Sequence, residues 1–123
     1  MVKPQIDVLS SLIDIPSIKR EEIRMAINLV THRKGGKPDD ITAAAKRLKA
    51  LVTKHGAEDL QLSTEITGPH AGEWVLVIRF SSWGAFGRAM EGATGDPDFA
   101  KTIGSLDTIS EITSRRLVAG IEL

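Results

Sequence analysis

Asn28, His32 and Arg79 are polar side chains set in otherwise apolar runs, Asn28 between Ile27 and Leu29 and Arg79 between Ile78 and Phe80. An amide, an imidazole and a guanidinium can together orient and polarise a small molecule. Arg79 suits a carboxylate or phenolate, and His32 suits general-base work where a substrate proton is positioned. An unpaired buried Arg costs several kcal/mol, so Arg79 needs a partner or an exit to solvent. Glu65 is the candidate partner, and an ion pair within the sheet or across a dimer is favoured over a ligand role. Arg115 and Arg116 point to opposite faces of their strand. Trp83, Phe86 and Met90 are the set from which an apolar ligand pocket would be built. Packing in the core or a dimer is the competing use of the aromatic residues.

Other chemistries lack their residues. The 123-residue chain has no cysteine, which excludes disulfides, thiolate metal sites and a Cys nucleophile. His32, His55 and His70 form neither HxH nor HExxH, so no metal site is expected. Gly35-Gly36-Lys37 lacks the spacing and the Ser or Thr of a phosphate loop. No Gly-x-Ser-x-Gly elbow is present, and no cofactor is expected. Sixteen Lys plus Arg balance sixteen Asp plus Glu, without the basic footprint of a nucleic-acid binder. An RNA-recognition module would also need a basic, aromatic strand motif that is missing here. No apolar run nears the ~20 residues of a membrane span. Asp7 and Asp14 interrupt the N-terminal apolar stretch, so no signal peptide is read and a cytoplasmic location is expected.

The elements that would position these residues follow from periodicity. Residues 1–22 read as an extension with a short amphipathic helix through Ile6, Leu9 and Ile13, ended by Pro16. Residues 23–123 read as one domain. A strand covers 23–33 and turns at Gly35-Gly36. A helix opens at Pro38-Asp39-Asp40, carries the stripe Ile41, Ala44, Ala45, Leu48, Leu51 and Val52, and closes at His55-Gly56. His55 is expected to cap that helix end and His70 to sit solvated in a turn. Leu60–Thr67 alternates as a strand and pairs as a hairpin with 74–81. A short helix marked by Phe86, Ala89 and Met90 breaks at 92–95. Asp96 as N-cap and Pro97 start the next helical piece, and a long strand fills 109–123. The order is β-α-β-β-α-β, an α+β, ferredoxin-like split βαβ with an antiparallel sheet. Its strands are apolar at both parities, so both sheet faces are expected to be covered. A second copy of the chain is the expected cover.

Phe80-Ser81-Ser82-Trp83-Gly84-Ala85-Phe86, followed by Asp96-Pro97-Asp98-Phe99, resembles the dimeric α/β-barrel superfamily over residues 23–123. That superfamily includes antibiotic-biosynthesis monooxygenase-like and stress-responsive barrel proteins, in which an x-S-x-x-A-F helix start is followed by a [ST]-P-x-F turn. The resemblance implies a homodimer closing into a barrel, with a cleft between sheet and helices in each protomer. Some members are cofactor-independent monooxygenases, some degrade haem, and many have no known activity. In members with activity a first-strand Asn, a Trp ending the third strand and a helical His commonly matter. Asn28 matches the first loosely, Phe80 stands at the Trp position with Trp83 three residues on, and the stretch 98–103 has no His. These departures count against a haem or monooxygenase role. The expectation is a homodimeric barrel binding a small, mostly apolar molecule through Asn28, His32, Arg79, Trp83, Phe86 and Met90. A cofactor-independent monooxygenase and a purely structural or stress-related dimer are the alternatives.

Overall fold

The computed structural model describes residues 25–121. The extension 1–22 with its expected helix lies outside the described residues, as do positions 23, 24, 122 and 123. The elements are β1 (Met25–Lys34), α1 (Pro38–Lys54), β2 (Asp59–Thr64), β3 (Trp74–Phe80), α2 (Trp83–Thr94), α3 (Pro97–Ile109) and β4 (Glu111–Ile121). The strands form one antiparallel sheet in the order β2-β3-β1-β4. This is the ferredoxin-like split βαβ arrangement.

Strand periodicity explains the layering. Met25, Ile27 and Leu29 alternate with Ala26, Asn28 and Val30, and register pairs Ile27 with Phe80 and Leu29 with Ile78. That parity, with Leu60 and Leu76, packs against Ile41, Ala44, Leu48 and Val52 of α1, Ala85 and Ala89 of α2, and Leu106 of α3. The three helices of the described residues therefore cover one face. The other parity presents Asn28, Val30, His32, Gln61, Ser63, Val75, Val77, Arg79, Arg116 and Val118. Val30, Val75 and Val77 at its centre are only half-buried, and Val118 is 40% exposed. β4 is an edge strand, and most of its residues are exposed.

Local signals set the helix ends. Pro38 lies in the first turn of α1 with Asp39 and Asp40, and Lys54 in its last, each suiting the helix dipole. Gly36 is required on two counts. Its φ is +90°, and a Cβ would stand 2.8 Å from Ile41 Cδ1. Ser82 Oγ accepts from the Ala85 N–H at the start of α2, and the Asp96 carboxylate from the Asp98 N–H at the start of α3.

The expected break at 92–95 is a longer helix instead. α2 runs through Gly92 to Thr94 and stops at Gly95, which makes the order β-α-β-β-α-α-β. A helical glycine costs only about 1 kcal/mol, and here it has a packing reason. A Cβ at Gly92 would fall 2.5 Å from His55 Nδ1. His55, the residue that caps α1, has its Nε2 2.7 Å from Asp96 Oδ2. A carboxylate only accepts, so that nitrogen carries the proton. The bond to His55, aided by the Asp98 N–H, holds the Asp96 carboxyl down at about 2. The end of α1 is thus tied to the α2–α3 corner. β2 also ends earlier than the alternation implies, at Thr64, and Ile66 is 81% exposed.

Gly92→Ala should displace the His55 ring and cost about 1–3 kcal/mol in chemical denaturation. Gly87→Ala, where nothing lies within 4 Å of the added Cβ, should instead stabilise by about 0.5–1 kcal/mol.

Candidate functional site

The register divides the six candidate residues between the two faces of the sheet. Asn28, His32 and Arg79 lie on the open face, where Asn28 sits opposite Arg79 and His32 opposite Val75. Trp83, Phe86 and Met90 belong to α2 and pack, half-buried, against the core on the helix side. The structure brings each trio to one side but does not bring the six together.

On the helix side, Trp83 is the first residue of α2 and is joined to the end of β3 by Ser81 and Ser82. Phe80 and Phe86 meet edge to face at 5.2 Å. The buried face of α2 is made by Ala85, Ala89 and Ala93, so its aromatic and Met side chains sit at the border of the core. The Trp83 indole Nε1 is buried and has no acceptor. By contrast, Trp74 Nε1 donates to the Gly35 carbonyl at 2.9 Å. Buried donors are satisfied in the great majority of cases, so among the described residues Trp83 is the exception on this side.

On the open face Arg79 does not meet Glu65. Its Nε donates to Glu58 Oε1 at 3.0 Å, and both side chains are about half exposed. The reason is register. Arg79 sits opposite Asp59 at one end of β3, whereas the Glu65 N–H bonds the Glu73 carbonyl at the other end. Six residues of strand, about 20 Å, separate the two ends. The structural ion pair favoured for Arg79 is therefore present with a different carboxylate.

Glu65 instead takes His32. His32 Nε2 is 2.9 Å from Glu65 Oε1, and the His32 side chain is 5% exposed. The His70 ring stacks on His32 with centroids 4.3 Å apart. His70 Nδ1 is 2.9 Å from Glu73 Oε1, so His70 is tethered and only partly exposed rather than freely solvated. Thr113 completes the chain, its hydroxyl reaching Glu73 and the His32 carbonyl. Thr113 is available because the β1–β4 ladder bulges between His32 and Arg33, leaving it without a partner opposite. The Thr113 hydroxyl is the main cause holding the Glu73 carboxyl below its ordinary value, with the His70 ring adding to it. His32 Nδ1 is buried and has no partner.

Four of these residues, Glu65, His70, Glu73 and Thr113, were not expected to join His32. Hairpin register is the signal that finds the two glutamates, since 63 pairs with 75 and parity carries 65 and 73 to the same face. The bulge that frees Thr113 has no sequence mark. Arg33 is also buried without having been singled out. Its Nη1 donates to Asp107 Oδ1 at 2.9 Å and Ser110 Oγ at 3.2 Å, at the C-terminal end of α3 where a cation is favoured. Among the described residues no group of three or more His, Cys, Asp or Glu is placed to hold a metal ion, and no helix is long and apolar enough to cross a membrane.

No protein-family model matches the chain, and no curated protein matches it. Solved structures do. SnoaB, a cofactor-independent oxygenase from Streptomyces nogalater, superposes with a TM-score of 0.58 at 19% identity, covering 82% of this chain and 95% of that one. A dimeric ferredoxin-like protein of unknown function from Thermobifida fusca gives 0.53 at 12% identity over 80% and 92%. A candidate antibiotic biosynthesis monooxygenase from Nitrosomonas europaea gives 0.51 at 14% over 80% and 90%. The structural neighbours are thus antibiotic-biosynthesis monooxygenase-like proteins of ferredoxin fold, and at these identities what is shared is the fold.

A depressed carboxylate stabilises the folded state above its ordinary pKa and loses that contribution as pH falls through the folded value. Glu73 therefore supports the hairpin above about pH 4.5 and ceases to do so in more acid solution. Thr113→Val should bring the Glu73 carboxyl back toward 4.5, read by carbon NMR titration of the side chain.

Proposed function

We propose that the chain works as a homodimer, open sheet face against open sheet face. Each protomer binds a small, mostly apolar molecule carrying a hydrogen-bond acceptor, between the sheet and α2. The observation that carries the binding reading is the buried Trp83 indole N–H without an acceptor, beside Phe86 and Met90. An apolar wall with one convergent donor is what a ligand site of this kind needs. A bound carbonyl or phenolic oxygen would satisfy the donor. The pairing reading is supported by the half-buried valines at the centre of the open face and by the dimeric neighbour from Thermobifida fusca.

The likeness to SnoaB raises oxygenase chemistry as the alternative. A constellation of Asn28, His32, Arg79 and Trp83 on one substrate does not fit within a protomer, because the first three lie across the sheet from the fourth. Oxygenation would have to rely on the α2 side alone. The binding reading makes no such demand and is preferred.

1-Tetralone, an apolar bicyclic ketone, is the probe, and tetralin, which lacks the oxygen, is its control. The Trp83 indole N–H signal should move on adding tetralone while the Trp74 signal stays, the two being assigned with a Trp74→Phe variant. Tetralone should bind at least about 5-fold tighter than tetralin, as expected for satisfying a buried donor. Equal affinities, or an unmoved Trp83 signal at saturating probe, would contradict the reading.

A further inference from the structure

The helix layer stops short of one corner of the sheet. Leu117, Ala119 and Ile121 of β4 pair with Leu29, Ile27 and Met25 of β1, so their side chains share the helix-side parity. Ile27 is fully buried, yet Ala119 beside it and Leu117 are only half-buried, and Ile121 is 66% exposed. α2 forms the inner wall of this corner. Its Gly92 meets His55 of α1, and at about 100° per residue Trp83 and Met90 stand on the opposite flank, with Phe86 beside them. α1 lies over β2, so that flank faces the β4 edge. Trp83, Phe86 and Met90 are half-buried too. Together these side chains line an apolar groove, walled by α2 and open at the edge strand, that the described residues leave uncovered. An apolar patch of this kind marks a surface that takes a partner.

The chain enters the fold at this same corner. Met25, the first residue of β1, lies opposite Ile121. In the sequence before it, Ile6, Leu9, Leu12 and Ile13 fall on one stripe at helical spacing, with Asp7, Ser10, Ser11 and Asp14 outside it. As a helix, residues 6–13 would span about 12 Å, and Leu117 to Ile121 span about 13 Å of strand. Residues 14–24 supply up to about 36 Å of tether, so the stripe can reach the groove of its own chain. The open face offers no such match near the entry. There Val118 stands opposite Asn28, with Arg79 beyond it and Arg116 alongside. An apolar stripe laid on those groups would strip water from them without replacing its hydrogen bonds.

The geometry points to residues 6–13 as the cover of this groove, an amphipathic helix whose apolar stripe lies on Leu117, Ala119 and Ile121 against the flank of α2, on the chain that carries it. The segment completes the apolar layer over β4 and forms the outer wall of the cleft beside Trp83. The docking needs no ligand and stands apart from the binding reading. In a dimer closed through its open faces, the two grooves face outward, one on each protomer.

The chain has no cysteine, so a nitroxide on Ser10→Cys marks the segment within the full chain. Its paramagnetic broadening should fall on the Trp83 indole N–H and the Ile121 methyl signals. It should spare the Trp74 indole, opposite Arg33 at the other end of the sheet, and the Val77 methyls on the open face. When nitroxide chains of natural isotopic abundance are mixed with enriched chains lacking the nitroxide, the enriched Trp83 signal should stay sharp, because each segment covers its own chain. Leu9→Glu should lower the docked population, and the broadening with it, about 10-fold or more, the worth of burying one leucine. Leu9→Met should keep it. Broadening centred on Val77 would put the segment on the open face, and broadening of Trp83 in the mixed sample would put it on the partner. Either result, a Trp83 signal untouched in the singly labelled chain, or broadening unchanged by Leu9→Glu would overturn the proposal.

Discussion

Among the described residues, three helices cover one face of a four-stranded sheet and none covers the other. The rest of the architecture answers to this constraint. Ile27, Leu60, Leu76, Ile78 and Phe80 are buried because their parity faces α1, α2 and α3. Arg33 shares that parity and reaches the end of α3, where Asp107 and Ser110 offset the cost of burying its charge. Among the described residues the opposite parity has no such cover. Val30, Val75 and Val77 are left half-buried there, and its polar side chains pair along the surface or under the hairpin turn.

The two faces consequently support different chemistry. On the helix side, the alanine face of α2 lets the helix lie close to the sheet at Ala85 and Ala89, with larger Trp83, Phe86 and Met90 at the margin. This gives an apolar setting with one unpaired donor. On the open side, imidazole, carboxylate and hydroxyl groups form a connected chain, His32–Glu65 beside His70–Glu73–Thr113. Hydrogen bonds in such a chain gain strength from burial, and an unpaired nitrogen within it carries a corresponding cost. Among the described residues, each face therefore holds one buried side-chain nitrogen without a partner, Trp83 Nε1 on one and His32 Nδ1 on the other.

Sequence periodicity made much of the fold legible. The stripe of α1, the Pro38 start, the Gly35-Gly36 turn and the Asp96-Pro97 start all act through local geometry, and each stands where the residues place it. The resemblance in fold also held, since the structural neighbours are of the monooxygenase-like ferredoxin type. Three features depended on more than local signals. The length of α2 turned on Gly92 fitting beneath His55, a contact between residues 37 apart in sequence. The partner of Arg79 turned on hairpin register, which puts Asp59 rather than Glu65 opposite it. The candidate site read as one set because the residues looked alike in being exceptional, polar in apolar strands or aromatic at a helix start. Parity within β1 and β3 puts Asn28, His32 and Arg79 on one face, across the sheet from Trp83, Phe86 and Met90.

The pairing of open faces is tested most directly by sedimentation equilibrium of the full chain across micromolar concentrations, alone and as Val77→Glu, which places a carboxylate at the centre of the uncovered face. The account predicts twice the chain mass for the unsubstituted protein and the single chain mass for the folded variant. A folded, unsubstituted chain that sediments as a monomer throughout that range would contradict it.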